Sequence, residues 1–366
     1  MRILFVLEHF YPYIGGAERL FWELATALAA QGYEVGVVTT RFRKGLPKEE
    51  VLSGVKIFRV DCRNRYLFSF VSLPAVRRHL RDYDLVHTTS YNAALPAWLA
   101  ARLARKPVVI TFHEAWGSLW WRLPFANFFQ RLAFYCWEQL LLRLLFERFV
   151  AVSEFTRREL IRQGVGERKV ARIYNGLDYQ EFEGYTHEPP PVFTYTYFGR
   201  LGMSKGLDLL LPAARTMATA HPESRLKLIL PTYPEGMYQW VMNRIKELDL
   251  EAHIQLLHDL PKGRLMQEIC QSSCVVVPSY SEGFCFVAAE AVALGAPVIS
   301  SGKGALEEVV SGRFLEMGNM SAAALAETLE QAYTGHWQEK PLVRFSLANS
   351  VEAYIKLYRE IASGIN

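Results

Sequence analysis

Short apolar segments that alternate with helix-like segments constrain the fold of this chain more than any other feature. The first set of strand-like segments consists of Ile3–Leu7, Val35–Thr39, Val55–Val60, Leu85–Thr88, Val108–Phe112, Phe149–Val152 and Val170–Tyr174. The second set consists of Thr194–Phe198, Leu226–Leu230, Ile254–Leu257, Cys274–Val277 and Val298–Ser300. Strands of a parallel sheet that is covered by helices on both faces have this composition. The pattern therefore predicts an α/β fold.

A proline-rich stretch, Tyr185–Pro191, interrupts the alternation, because three successive prolines continue neither a helix nor a central strand. A chain of 366 residues is also too long for one ordinary hydrophobic core. We therefore expect two Rossmann-like, doubly wound domains, residues 1–186 and 187–345, that face a deep cleft. We expect residues 346–366 to form a helix that packs back toward the first domain.

The charge is divided unevenly between the two halves of the chain. Residues 1–190 contain 26 Lys/Arg and 19 Asp/Glu, a net charge of +7, and the remainder contains 15 and 18, a net charge of −3. A basic half suits anionic lipid, nucleic acid or an anionic substrate. A nucleic-acid binder would need a basic groove with stacking aromatic residues throughout, which the acidic half does not supply. We therefore expect no nucleic-acid partner.

The cysteines and the first residues predict a cytoplasmic protein. Five cysteines, an odd number, form no C-x-x-C motif, which is typical of reduced thiols. The N-terminus lacks the long apolar region of a signal peptide, and no segment has the length and hydrophobicity of a transmembrane helix.

The stretch Pro278–Ser301 has the strongest functional pattern. An apolar strand runs into a polar turn, and a helix of small residues follows, roughly Cys285–Leu294. The first helical amides have no intrahelical partner, so an anion such as a diphosphate would bind there. Glu282 and Glu290 flank this turn and would accept hydrogen bonds from sugar or ribose hydroxyls. The alternative is that Glu282 caps the helix and Glu290 is a solvated helix residue.

Other candidates follow predicted strands, where parallel sheets bind ligands. Gly15-Gly16 follows the first strand, His113 ends another, and a glycine-rich loop with Arg200 and Lys205 opens the second domain. The two cations suit a diphosphate, although solvated loop cations are common. Asp82-Tyr83-Asp84 precedes its strand, so we read this D-x-D sequence as a turn and expect no metal. Neither G-x-G-x-x-G nor a P-loop occurs, which argues against a nicotinamide cofactor and against ATP hydrolysis.

Residues 116–149 combine eleven aromatic residues with arginines. This mixture suits a membrane interface, where rings lie at headgroup level and arginines pair with phosphates. The alternative is a buried helical hairpin of a large domain. The residues that we assign to the membrane or acceptor side are Trp116, Trp120, Trp121 and Arg122. A second basic stretch has Arg63, Arg65, Arg77, Arg78 and Arg81 around residues 66–71, which supports the membrane interpretation.

Taken together, these residues make the chain resemble the retaining, two-domain glycosyltransferases of family 4, which have the GT-B fold. The motifs in the first half are Gly15-Gly16-Ala17-Glu18, Thr111-Phe112-His113, Val152-Ser153-Glu154 and Ile173-Tyr174-Asn175-Gly176-Leu177-Asp178. Those in the second half are Gly199-Arg200, Lys205-Gly206, Glu282-Gly283-Phe284 and Glu290-Ala291. Their order and spacing extend over nearly the whole chain.

The resemblance implies a role for each matching residue. Glu290 would bind the ribose and Glu282 the hydroxyls of the donor sugar. Arg200 and Lys205 would hold the diphosphate, and His113 would lie by the donor sugar near the acceptor. The remaining residues implied in donor binding are Gly15, Gly16, Gly199, Phe284, Cys285, Phe286 and Glu308. Two departures are that Cys285 stands where the family often has glycine, and that Ala305 and Glu307 replace a glycine and a proline in the loop before Glu308.

The resemblance implies a retaining, metal-independent enzyme without a cofactor, which takes a hexose from a UDP- or GDP-sugar. With the aromatic and basic segments, it leads us to expect a lipid-linked or membrane-associated glycan acceptor, in cell-envelope polysaccharide or glycolipid synthesis. The protein would be peripheral on the inner face of the cell membrane. The alternatives are the same chemistry on a soluble small-molecule acceptor, or a non-catalytic sugar-binding protein.

Overall fold

The structure is a computed structural model that describes residues 1–13, 15–122 and 127–364. These residues form two compact units. The first unit consists of Met1–Trp121, Asn127–Gly176 and Ser346–Asn366, and the second consists mainly of Leu177–Phe345. The unit boundary thus precedes the proline-rich stretch and differs from the predicted boundary at residue 186. The physical reason is that Leu177 already donates its amide proton to the carbonyl of Phe345, at 2.7 Å, within the second unit.

The first unit has one large sheet with helices between its strands. Its elements are β1 (Arg2–Val6), α1 (Gly16–Ala30), β2 (Glu34–Thr40), β3 (Glu49–Leu52), β4 (Val55–Val60), α2 (Phe68–Val71), α3 (Leu73–Leu80), β5 (Leu85–Thr89), α4 (Ala94–Ala104), β6 (Val108–Phe112), α5 (Phe128–Arg143), β7 (Arg148–Ala151), α6 (Glu154–Arg162), β8 (Val170–Arg172) and the C-terminal α13 (Leu347–Ala362).

Within the described residues, this sheet has the order β3-β4-β2-β1-β5-β6-β7-β8. All neighbours are parallel except β3, an edge strand that is antiparallel to β4. The chain builds the sheet outward from β1 on one side and then returns to β5 on the other. A switch point therefore lies between the carboxyl ends of β1 and β5, where open α/β sheets bind ligands.

A buried polar network attaches α13 to this sheet. His87 lies on β5 with no exposed surface, and its Nδ1 is 2.5 Å from the hydroxyl of Tyr358. The other ring nitrogen is 2.8 Å from the hydroxyl of Thr111 on β6. Burial lowers the pKa of His87 to about 3, so the ring is neutral. The C-terminal segment thus packs into the first unit through hydrogen bonds as well as apolar contacts.

The second unit repeats the architecture. Its elements are β9 (Thr194–Phe198), α7 (Leu207–Ala220), β10 (Arg225–Ile229), α8 (Glu235–Glu247), β11 (Ile254–Leu257), α9 (Lys262–Cys270), β12 (Cys274–Val277), α10 (Phe286–Ala293), β13 (Val298–Ser300), α11 (Leu306–Val309), β14 (Gly312–Glu316), α12 (Ala322–Tyr333) and β15 (Gln338–Lys340). The sheet order over the described residues is β11-β10-β9-β12-β13-β14-β15, and β15 is antiparallel to β14. The switch point here lies between β9 and β12.

In the described parts of the chain, no helix is both long and apolar enough to cross a membrane.

Candidate functional site

An ion pair lies at the switch point of the second unit. Lys205, in the loop after β9, places its Nζ 2.7 and 2.9 Å from the two carboxylate oxygens of Glu282, in the loop after β12. The hydroxyl of Ser279 donates to the Oε1 of Glu282 at 2.7 Å. The carboxylate is buried, whereas Lys205 is partly exposed. The two residues that sequence analysis assigned to diphosphate and sugar are therefore in direct contact.

Glycines allow the loops of this site to approach one another closely. Gly206 has a φ of +70°, and a Cβ there would lie 2.0 Å from the carbonyl oxygen of Pro278. Gly304 also has a φ of +70°, and its Cβ would lie 2.3 Å from the carbonyl oxygen of Glu282. Any side chain at either position would push the loops apart. The glycines therefore fix the position of Glu282 from both sides.

Helix α10 begins beside this ion pair. Its N-cap residue is Cys285, which is buried and has a φ of +77°, in the left-handed region. Burial and the neighbouring Glu282 raise the pKa of the Cys285 thiol well above its ordinary value. The ring of Phe284 packs edge-on against Phe286 and Phe345. Phe284 and Cys285 are therefore packed into the protein, and only their backbone is suited to a ligand.

The other predicted donor residues surround the same helix. Gly199, with a φ of +136°, leaves room for Val287 of α10, because a Cβ at Gly199 would lie 3.3 Å from its Cγ2. Arg200 is exposed and follows directly, and Glu290 is half-buried on α10. Glu308 is half-buried on α11, which contacts α10. The second unit thus gathers the predicted donor residues of its sequence around the N-terminus of α10.

The first unit holds the remaining predicted residues near its own carboxyl edge. Gly15 is the N-cap of α1, and Gly16 is the first residue of that helix. His113 follows β6, is 9% exposed, and lies edge-on to Phe21 with 5.9 Å between ring centroids. Its ring is parallel to that of Tyr91 at 6.2 Å. His113 is therefore held by aromatic neighbours on an otherwise apolar strand end.

The predicted membrane side of the first unit divides into two kinds of residue. Trp116 and Trp120 are partly buried, with ring centroids 4.4 Å apart, whereas Trp121 and Arg122 are exposed. Residues 123–126 of this segment lie outside the described residues. The helix predicted over residues 127–147 begins at Phe128 and ends at Arg143. Only part of the segment is therefore available to a membrane.

Sequence analysis missed the buried Glu138, which shapes this segment. Its carboxylate accepts hydrogen bonds from the amides of Trp116 at 2.9 Å and Gly117 at 2.7 Å, and from the indole of Trp120 at 3.3 Å. Burial raises the pKa of Glu138 above its ordinary value, although these hydrogen bonds act in the opposite direction. Its position on the same helix face as Leu141 and Leu142 was the available signal, since that face is buried.

Glu8, after β1, is a second missed carboxylate. It is buried and lies 2.8 Å from the Nε of Arg65, 3.3 Å from the Nε2 of His9 and 2.7 Å from the Nδ2 of Asn92. Burial raises the pKa of Glu8, but these neighbours outweigh it, so the pKa is lowered. A Glu-His pair directly after an apolar strand was the signal in the sequence.

Comparison with known families gives a consistent result over both units. The model described as Glycosyltransferase Family 4 matches residues 14–181, and the model described as Glycosyl transferases group 1 matches residues 181–344. One protein of human phosphatidylinositol N-acetylglucosaminyltransferase is 25% identical over 345 residues, 90% of this chain and 68% of that protein. The D-inositol 3-phosphate glycosyltransferase of Kineococcus radiotolerans is 28% identical over 326 residues, 81% of this chain and 75% of that protein.

A third relative is the GDP-mannose:cellobiosyl-diphosphopolyprenol alpha-mannosyltransferase of Xanthomonas campestris, which is 26% identical over 311 residues, 82% of this chain and 78% of that protein.

Solved structures agree with the fold. Sucrose-phosphate synthase from Thermosynechococcus elongatus superposes with a TM-score of 0.82 at 20% identity, covering 99% of both chains. Anabaena HepE, solved in complex with UDP and glucose, superposes with a TM-score of 0.73 at 18% identity, covering 98% of this chain and 99% of that one. With the family matches over both units, the chain belongs to glycosyltransferase family 4 and is a nucleotide-sugar glycosyltransferase with the GT-B fold.

Proposed function

We propose that this enzyme transfers a hexose from a UDP- or GDP-sugar to a lipid-linked or membrane-associated glycan acceptor, with retention of configuration and without a metal ion. The observation that carries the proposal is the contact of Lys205 with both oxygens of Glu282 at the switch point between β9 and β12. A cation and a carboxylate fixed at this point can bind the two ends of a sugar diphosphate.

The ion pair prepares both residues for the donor. An ammonium group has three N–H donors, and two of them are directed at Glu282, so a third is available to a phosphate oxygen. Each carboxylate oxygen has lone pairs beyond those used by Lys205 and Ser279, and these can accept sugar hydroxyls. Arg200 and the first amides of α10 add positive charge for the diphosphate.

The remaining predicted residues complete the proposed donor site. Glu290, on the first turns of α10, accepts hydrogen bonds from the ribose, and Glu308 on α11 borders the sugar. Gly16 opens α1 of the first unit, where its lack of a side chain lets backbone amides approach a phosphate. His113 donates a hydrogen bond to the sugar.

The same contacts favour retention by direct attack from one face. Both oxygens of Glu282 already accept protons from Lys205 or Ser279, so this carboxylate is poorly suited to attack the anomeric carbon. The Cys285 thiol is protonated, because burial raises its pKa. In the proposed step, the bond from the anomeric carbon to the diphosphate oxygen breaks and a bond to the acceptor oxygen forms on the same face. The acceptor's proton moves to the departing phosphate, whose growing charge Lys205 and Arg200 stabilise.

The lipid-linked acceptor is supported by two relatives, whose names specify phosphatidylinositol and a diphosphopolyprenol. It is also supported by the exposed Trp121, Phe128 and Phe129 of the first unit. Such an acceptor would place the enzyme in cell-envelope glycan or glycolipid synthesis, peripheral on the inner membrane face. A soluble phosphorylated acceptor is the second candidate, because another relative is named for D-inositol 3-phosphate.

Thermal stabilisation by nucleotides tests the donor site directly. The purified enzyme is heated with UDP, GDP, ADP and their sugars, with a chelator present. A bound nucleotide raises the Tm selectively, and Glu290→Ala removes the shift, whereas Glu327→Ala, an exposed glutamate on α12, retains it. NMR of the product then gives its anomeric configuration. No shift with any nucleotide, or a product of inverted configuration, contradicts the proposal.

A further inference from the structure

We propose that residues 62–81, here called the arginine-rich surface, dock the enzyme on an anionic lipid bilayer by inserting the side chains of residues 66–71. This inference extends the proposed function, which requires a membrane-bound acceptor. It assigns docking to a part of the first unit other than the aromatic segment 116–149.

Four apolar side chains of the arginine-rich surface project into solvent. The exposed fractions are 60% for Tyr66, 40% for Leu67, 71% for Phe70 and 42% for Val71. Phe68, between them, is fully buried in the core of the first unit. One face of this short helical segment is thus anchored while the other presents large apolar groups, an arrangement typical of elements that enter the headgroup layer.

The charge around these side chains matches an anionic membrane. Residues 62–81 contain five arginines and no Asp or Glu. The arginines, all exposed, are Arg63, Arg65, Arg77, Arg78 and Arg81. Each basic residue close to an anionic leaflet adds to binding, so a segment with this composition is attracted to acidic phospholipid.

Hydrogen bonds connect this surface to the switch point of the first unit. The Ser69 hydroxyl donates to the carbonyl of Asn92 at 2.8 Å, and the Asn92 amide donates to Glu8 at 2.7 Å. Arg65 contacts the other oxygen of Glu8 at 2.8 Å. Because Glu8 follows β1, a docked surface would hold the carboxyl edge of this sheet at a fixed depth beside the bilayer.

The aromatic segment 116–149 is the competing surface. Phe128 and Phe129 at the start of α5 are 61% and 78% exposed. Its arginines, however, donate to protein carbonyls: Arg131 to Trp121 at 3.1 Å and Arg143 to Gln139 at 2.7 Å. Trp116 and Trp120 are bound to Glu138. The arginine-rich surface therefore offers more charge to a membrane.

Vesicle flotation distinguishes the two surfaces. The full chain is floated with phosphatidylcholine vesicles that either contain or lack phosphatidylglycerol. We expect binding only to the anionic vesicles. The double variant Phe70→Ser with Val71→Ser should bind about tenfold more weakly. Arg77→Gln with Arg78→Gln should lower the affinity about 30-fold. The matched control, Phe128→Ser with Phe129→Ser, should bind like the wild type.

Three results would overturn the proposal: no flotation of the wild type, equal flotation with neutral vesicles, or loss of binding only in the Phe128 and Phe129 control. Nucleotide-induced thermal stabilisation of each variant is measured in parallel. A wild type that is stabilised by a nucleotide but does not float keeps its donor site and loses the docking inference. A protein that floats without nucleotide stabilisation keeps the docking surface and loses the proposed donor site.

Discussion

Two buried glutamates, one in each unit, hold loops that follow strands, and their partners differ in kind. Glu282 in the second unit contacts the side chains of Lys205 and Ser279. Glu138 in the first unit accepts hydrogen bonds from two backbone amides and an indole. A flexible, partly exposed lysine can exchange partners when a ligand enters, whereas backbone amides of the same loop cannot. The comparison assigns ligand binding to Glu282 and loop shape to Glu138.

The Lys205→Ala variant should show the largest effect. Removing a preorganised cation from a developing negative charge lowers kcat by about 10²- to 10³-fold. The substitution also leaves the Glu282 carboxylate buried without its cation, so the Tm falls as well. Steady-state transfer from the donor identified by thermal stabilisation measures the first effect, and thermal unfolding measures the second.

Lys227 provides a matched control in the same unit. It forms an ion pair with Glu268 at 2.7 Å, and both side chains are 4% exposed. Lys227→Ala should destabilise the protein by about 3–5 kcal/mol, because it leaves a buried charge unpaired. The folded enzyme should nevertheless bind the nucleotide normally. If both lysine variants lose activity only in proportion to their loss of folded protein, Lys205 has no role in the reaction.

Glu138→Ala should be the next largest effect, and on stability alone. The change leaves the amides of Trp116 and Gly117 without their acceptor, at a cost of about 3 kcal/mol in the free energy of unfolding. Denaturant unfolding measures the loss. Nucleotide binding by the second unit should be unchanged. A loss of nucleotide binding as large as that of Glu290→Ala would contradict the division between the two glutamates.

The pH dependence of stability sharpens the same comparison. Burial raises the pKa of Glu138 above its ordinary value of 4.5, so the folded state takes up this proton at a higher pH than the unfolded state. The wild type should therefore gain stability relative to Glu138→Gln as the pH falls through the raised pKa. The gain should be complete below 4.5. Denaturant unfolding of both proteins between neutral pH and pH 4.5 measures the difference, and a constant difference would mean that the carboxyl does not titrate there.

The sequence predicts the sheets well, because their central strands are nearly continuous apolar runs. Val55–Val60, Val108–Phe112 and Cys274–Val277 have the predicted bounds. The missed strands β3, β14 and β15 lie toward the sheet edges, and Glu49–Leu52 and Gln338–Lys340 are too short and polar for an apolar pattern. The fold class follows from local composition, whereas edge strands depend on their neighbours.

The candidate site was only partly predictable for a related reason. Motif spacing indicates that Lys205 and Glu282 serve one site, but their direct contact depends on loop packing between two distant strands. Glu138 carries no motif, because its function is to accept protons from amides that are identical in every residue. Trp116 and Trp120 have the composition of a membrane surface, yet that carboxylate draws them partly into the protein.

The smallest expected effect concerns the left-handed residue of each loop, Gly117 in the first unit and Cys285 in the second, with φ of +49° and +77°. Gly117→Ala should destabilise by about 1–2 kcal/mol, because a Cβ adds backbone strain and lies 2.9 Å from the side chain of Gln163. Cys285→Gly should change stability by less than about 1 kcal/mol, since relief of the same strain offsets the loss of a buried thiol. Chemical denaturation compares the two. A larger loss for Cys285→Gly than for Gly117→Ala would show that packing of the thiol, and not backbone strain, determines this position.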